Sequence, residues 1–189
     1  MPSFLTKFRL QPEFLAISLI ILAVTSRWLP HPPNVAPIAA MAIFSGLVLQ
    51  KRWAVGVPLI ALFLSDLLLG FYGPVMLAVY GSFGLSFMIG RWASRKVSLM
   101  RLLVATLGSA SLFYLITNAA VWLFGSMYPH DLVGLGQSYL AAVPFFRNSL
   151  LGDFMYLGIF ISLWRLVGQT LSDTPVEKPS KFNIPSIAN

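Results

Sequence analysis

A succession of apolar segments, each closed by prolines, glycines or basic residues, constrains this chain more than any other feature. The runs lie at about 12–29, 35–49, 53–69, 75–89, 102–124 and 149–167. A helix that crosses a bilayer needs about 20 mainly apolar residues. Six such runs consume most of the 189 residues. Only 10% of the residues are charged, where a soluble domain carries roughly a quarter. Much of the surface therefore does not face water. The sequence predicts an all-α membrane protein, a six-transmembrane-helix bundle over residues 1–168, with a flexible polar tail at 169–189. The second and fourth runs are short, and a re-entrant hairpin competes with a full crossing at each.

Charge orients the bundle. The net charge of +7 would suggest nucleic acid in a soluble chain. Here the basic residues lie between apolar runs, so they report topology, and no nucleic-acid partner is expected. With six crossings and a cytoplasmic N-terminus, the inner side holds Lys7, Arg9, Lys51, Arg52, Arg91, Arg95, Lys96, Arg101, Arg165, Lys178 and Lys181. Only Arg27 and Arg147 lie outside. Both termini are therefore placed in the cytoplasm, and the bacterial inner membrane is the expected location. Trp53, Trp92 and Trp164 each neighbour an inner-side arginine, as interfacial rings do. The first run resembles a signal peptide, but Ala23-Val24-Thr25 is a poor cleavage site and Arg27 follows, so it reads as an uncleaved helix.

The connections carry the breakers. Pro30, Pro32 and Pro33 exclude a helix around His31. Asn34 reads as the N-cap of the second helix. Gly70 to Pro74 forms a tight turn, and Arg91 to Arg101 a basic loop. Gln137 to Val143 is predicted as a short interfacial helix broken by Pro144.

This topology gathers the unusual polar residues at the outer side: His31, Asn34, Asp66, Tyr72, Asn118, Tyr128, His130, Arg147, Asn148 and Asp153. All but Tyr128 and His130 are the candidate substrate-binding residues. Asp66, within Leu64-Ser65-Asp66-Leu67, must face the bundle or water, because an ionised carboxylate against lipid costs several kcal/mol. It is either a ligand contact or the partner of a cation. Arg147 is a candidate partner for Asp66 or Asp153, or a receptor for an anionic substrate group. Asn118 inside the fifth helix needs a hydrogen-bond partner, either a neighbouring helix or a ligand. His31 has no second ligand nearby, so no metal site is expected. Small residues at spacing four, Ala36 and Ala40, then Ser82, Ser86 and Gly90, suit close helix packing within the bundle. There is no cysteine, no phosphate-binding loop, no zinc-protease helix and no nucleophile elbow. No catalytic residue and no enzyme are expected.

Several longer strings carry a resemblance. They are Leu29-Pro30-His31-Pro32-Pro33-Asn34 with Ala36-Pro37-Ile38, Ser65-Asp66-Leu67 with Gly70-Phe71-Tyr72-Gly73, and Leu115-Ile116-Thr117-Asn118 with Val121-Trp122. Tyr128-Pro129, Pro144-Phe145-Phe146-Arg147-Asn148 and Leu151-Gly152-Asp153 complete the set. Over residues 27 to 165 the chain resembles a bacterial membrane family of unassigned function. That family is similar to the substrate-binding S-components of energy-coupling-factor vitamin transporters, and nearest to the solitary cobalamin transporter of that type. The resemblance implies an S-component-like six-helix bundle with an outward-facing site for a vitamin-like molecule. It implies no cofactor, with cobalamin, as substrate, the first ligand to test. The expected partners are the bilayer, the small-molecule ligand and a membrane energising module. The chain lacks the cobalt-facing cysteine of the cobalamin transporter and the alanine motif by which S-components meet their module. The alternative expectation is a structural or scaffold protein of the envelope that binds no ligand.

Overall fold

The structure, a computed structural model, describes residues 12–28, 30, 34–49 and 52–172. Within them the chain forms six α-helices and no strand. These are α1 (Pro12–Trp28), α2 (Ile38–Val48), α3 (Gly56–Leu69), α4 (Val75–Ala93), α5 (Leu99–Phe124) and α6 (Leu132–Ser172), with a 3-10 turn at Arg52–Val55 leading into α3. Three stretches are long and apolar enough to cross a membrane: Val75–Ala93, Leu99–Phe124 and Leu132–Leu166. α1, α2 and α3 are apolar but shorter. Large apolar side chains such as Leu77, Leu107, Leu115, Leu151 and Leu163 stand exposed on the outward faces. A surface of this kind suits lipid better than water. The tail from residue 173 onward and His31 lie outside the described residues.

The core is built around α2. Its 11 residues rise about 16 Å, roughly half of a hydrocarbon core of about 30 Å. All of Ile38 to Leu47 is buried except Ala39, which is half-buried. A helix that is apolar on every side belongs inside a bundle, and α2 packs against α4 and α6, with α3, α5 and α1 completing the surround. It starts three residues later than the sequence suggests. Pro37 disfavours helical backbone at Ala36, and Asn34 takes a left-handed φ of 63°, which asparagine tolerates. Asn34 therefore makes a turn and is not the N-cap. The cap position falls to Pro37, which has no side-chain acceptor.

The closest approach is between α2 and α4. A Cβ placed on Gly90 would lie 2.2 Å from the Ile43 carbonyl oxygen, and one on Gly46 would lie 2.3 Å from that of Phe87. Ser82 and Ser86 continue the same face of α4, each almost fully buried. The Ser109 hydroxyl of α5 donates to Ser86 Oγ at 2.6 Å. The small-residue stripe is thus an internal packing seam, as its spacing predicts.

Two boundaries depart from expectation. α4 continues to Ala93, so the basic loop shrinks to residues 94–98. Ser98 caps α5 by accepting from the Arg101 N–H. The Arg101 guanidinium sits 5.2 Å from the centroid of the Trp92 ring. The predicted break at Pro144 is absent, because α6 runs unbroken through it. Proline removes one backbone donor there, but packed neighbours can hold such a turn together. The Tyr114 hydroxyl donates to the Tyr139 carbonyl at 2.7 Å, and that of Tyr139 to the Leu115 carbonyl at 2.9 Å. Tyr114 also stacks obliquely on Phe146 at 5.0 Å. These contacts brace α6 on both sides of Pro144.

Candidate functional site

Two polar features meet inside the bundle where α1 and α3 end. The first is a buried ion pair. Arg27, in the last turn of α1, reaches Asp66 in the last turn of α3, with Nη1 to Oδ1 at 2.8 Å. The same nitrogen donates to the Ser65 hydroxyl, which in turn donates to the Leu62 carbonyl at 2.8 Å. The second carboxylate oxygen of Asp66 accepts from Tyr80 at 3.0 Å and from Tyr72, more loosely, at 3.4 Å. Asp66 is fully buried, while the Arg27 side chain is 20% exposed. A carboxylate in an apolar bundle needs such partners, since transferring it alone is prohibitive. Burial, then the neighbouring Asp66 carboxylate, push the Tyr72 phenol up to about 12.

The second feature is a cavity of about 220 Å³ adjoining that pair. Every helix contributes to its wall. Arg27 comes from α1, Ile38 and Ala39 from α2, Leu62 from α3, Val79 and Phe83 from α4, Ala110 and Phe113 from α5, and Ser149 and Asp153 from α6. Asn34, Ala36 and Tyr72 enter from the connections. The segment 34–37 descends into the bundle beside α6, where Gly152 leaves room for Val35: a Cβ there would meet Val35 Cγ1 at 3.3 Å. Non-helical backbone at such a depth persists only where it is packed on protein or lines a cavity. The next residue, Asp153, is 3% exposed and accepts a hydrogen bond from the Ala40 backbone N–H. It thus provides from α6 the cap that Pro37 cannot provide on α2, and a carboxylate suits the positive end of a helix.

The structure brings some predicted residues together and disperses others. Asn34, Tyr72 and Asp153 line the cavity. Asp66 stands behind Tyr72 and Arg27, without a place in the wall. Its cation is Arg27, so the pairing of Arg147 with Asp66 or Asp153 considered from sequence is not formed. Arg147 is exposed on α6, and half-buried Asn148 beside it is not part of the wall. Asn118 turns its amide to the Tyr114 carbonyl of its own helix at 2.8 Å. Sequence reasoning missed Arg27, Ser149 and the rings of Phe83 and Phe113, which lie 5.3 Å apart. For Arg27 a signal existed: a buried outer-side aspartate requires a cation, and only Arg27 and Arg147 were available.

Among the described residues, six helices and no strand, with three helices long and apolar enough to cross a membrane and a partly open cavity lined from all six, point to a helical membrane protein. The chain belongs to DUF6580, a family of unknown function, whose model matches residues 8–176. No curated protein and no solved structure matches it.

Proposed function

We propose that this protein is an integral membrane substrate-binding or uptake protein for a small molecule held in the six-helix cavity. The observation that carries the reading is that all six helices contribute to one partly polar space. Such convergence is the usual form of a ligand site in helical bundles. The strong bias of basic residues to the other ends of the helices supports a site in the extracytoplasmic half of an inner-membrane protein with both termini inside. A short α2 is compatible with six passes, because the non-helical segment 34–37 extends its path.

The cavity volume of about 220 Å³ lies below the 300–1,000 Å³ common for drug-sized ligands. It is too small for a corrin macrocycle, so the ligand proposed here is smaller than cobalamin. The scaffold alternative would be favoured by a tightly filled outer half; on the topology proposed here the cavity falls in that half and supports binding instead.

The test is to purify the full chain, identify any retained small molecule by native mass spectrometry, and measure its binding and uptake in vesicles. Ala39→Leu and Ala110→Leu each fill part of the space and should weaken binding at least tenfold. Unchanged retention and uptake in both folded variants would refute the reading.

A further inference from the structure

We infer that the cavity is built for a small organic cation, an amine or a quaternary ammonium group, with Asp153 as its counter-charge. The inference rests on the binding reading above and adds the ligand's charge class. Of the charged groups at the cavity, Arg27 is neutralised by Asp66 at 2.8 Å. Asp66 in turn has both oxygens engaged, by Arg27, Tyr72 and Tyr80. Asp153 differs. It is 97% buried, being 3% exposed, and lines the space. Among the described residues no Lys, Arg or His lies within salt-bridge reach of it. Its backbone partner, the Ala40 N–H, leaves most of a carboxylate's acceptor capacity unused.

A carboxylate buried without a cation is costly, and helix-end partial charges offset only part of that cost. The site thus holds a buried carboxyl group with no fixed counter-cation, directed at a space large enough for a solute, and an ammonium ligand would stabilise its ionised form. The remaining walls suit the same ligand. Tyr72, Phe83 and Phe113 present aromatic rings, whose faces attract ammonium groups. An anionic ligand would meet the Asp153 carboxylate and a guanidinium already committed to Asp66.

The bland explanation is that Asp153 only caps α2. Asp153→Asn separates the two, because an asparagine oxygen still accepts from Ala40 but carries no charge. The full chain in nanodiscs of neutral lipid is titrated with benzylamine and choline, and with benzyl alcohol and benzoate as neutral and anionic counterparts. At least one of the cations should bind at least tenfold more tightly than benzyl alcohol, with benzoate weakest. Asp153→Asn should remove that preference while the melting temperature holds. If the variant fails to fold, Phe113→Leu provides the second measurement and should weaken choline more than benzyl alcohol. The inference is overturned if neither cation binds better than benzyl alcohol, or if Asp153→Asn leaves the preference intact. Should benzyl alcohol or benzoate bind best, and Ala110→Leu abolish it, the charge assignment fails while the binding reading stands. If no probe binds and no small molecule co-purifies, both fall.

Discussion

Cutting the Arg27–Asp66 pair from either side should cost far more than removing it whole. Asp66→Ala leaves a guanidinium whose side chain is only 20% exposed without its anion, and leaves Tyr72 and Tyr80 without their acceptor. Two opposite charges about 4 Å apart at an effective dielectric of about 20 interact by about 4 kcal/mol. Breaking a buried pair from one side typically costs about 3–5 kcal/mol, so the two scales agree. Arg27→Met strands a fully buried carboxylate and should fall in the lower part of that range, since two tyrosine hydroxyls remain to it. The double variant Arg27→Met/Asp66→Leu leaves no orphaned charge. It should sit roughly 2–3 kcal/mol above the sum of the single losses, within the coupling range of contacting residues. Equilibrium unfolding in mixed micelles, followed by tryptophan fluorescence, measures all four corners of the cycle. Additivity within about 0.5 kcal/mol would refute the view that this pair fastens α1 to α3. Ligand binding measured on the same proteins gives a second check. If Asp66→Asn abolishes binding without loss of stability, Asp66 positions Arg27 and Tyr72 in the cavity wall.

Two further outcomes follow from packing and titration. Gly90→Ala places a methyl group 2.2 Å from the Ile43 carbonyl oxygen and should destabilise by about 1–3 kcal/mol through overpacking. Gly84→Ala on the same helix meets nothing within 4 Å and should be neutral or stabilising by up to about 1 kcal/mol; equal melting temperatures for the two would contradict the α2–α4 seam. The Tyr72 phenol, raised to about 12, should remain protonated through pH 11, seen as a late component in the ultraviolet titration that Tyr72→Phe removes. Because the folded value lies above the ordinary 10.0, the associated stability is present below pH 10 and is lost as pH rises towards 12. A Tyr72 component titrating near 10 would contradict its placement beside Asp66.

What was legible in the sequence follows from how far each signal reaches. Apolar period, proline and glycine punctuation set the first five helices to within a few residues, because these act locally; α6 starts 17 residues earlier than the expected 149 and runs on through Ser172, into the expected tail. The seam of Ser82, Ser86 and Gly90 was readable because small residues at spacing four lie on one face of α4 whatever its neighbour. The extent of α2 was not, because Asn34 looks like a cap until its left-handed turn and Pro37 are seen together. Pro144 misled for a different reason: the hydroxyls of Tyr114 and Tyr139 that brace its turn come from pairing α5 with α6, at a separation of about 25 residues. At the site, grouping the outer polar residues found Asn34, Tyr72 and Asp153. It also drew in Arg147 and Asn118, since residues at one membrane depth can face the ligand, a neighbouring helix or the outside. The aromatic walls were hidden for the same reason, because a phenylalanine in an apolar helix gives no sign of facing a cavity.

The short α2 and the cavity are one feature seen from two sides. A helix of 11 residues that starts inside the bundle leaves backbone N–H groups there to be satisfied, and each unsatisfied one costs several kcal/mol in lipid. A chain with only a structural task could avoid this by continuing the helix to the membrane surface. Instead Pro37 starts it, Asn34 turns the backbone, and Asp153 is brought from α6 to the Ala40 N–H. That arrangement places a carboxyl group in the interior, beside the space that lies at the start of α2. Filling that space by a longer helix would remove both the exposed helix end and the need for Asp153. The proposed binding function gives all three a common use, since an occupant of the space would need each of them.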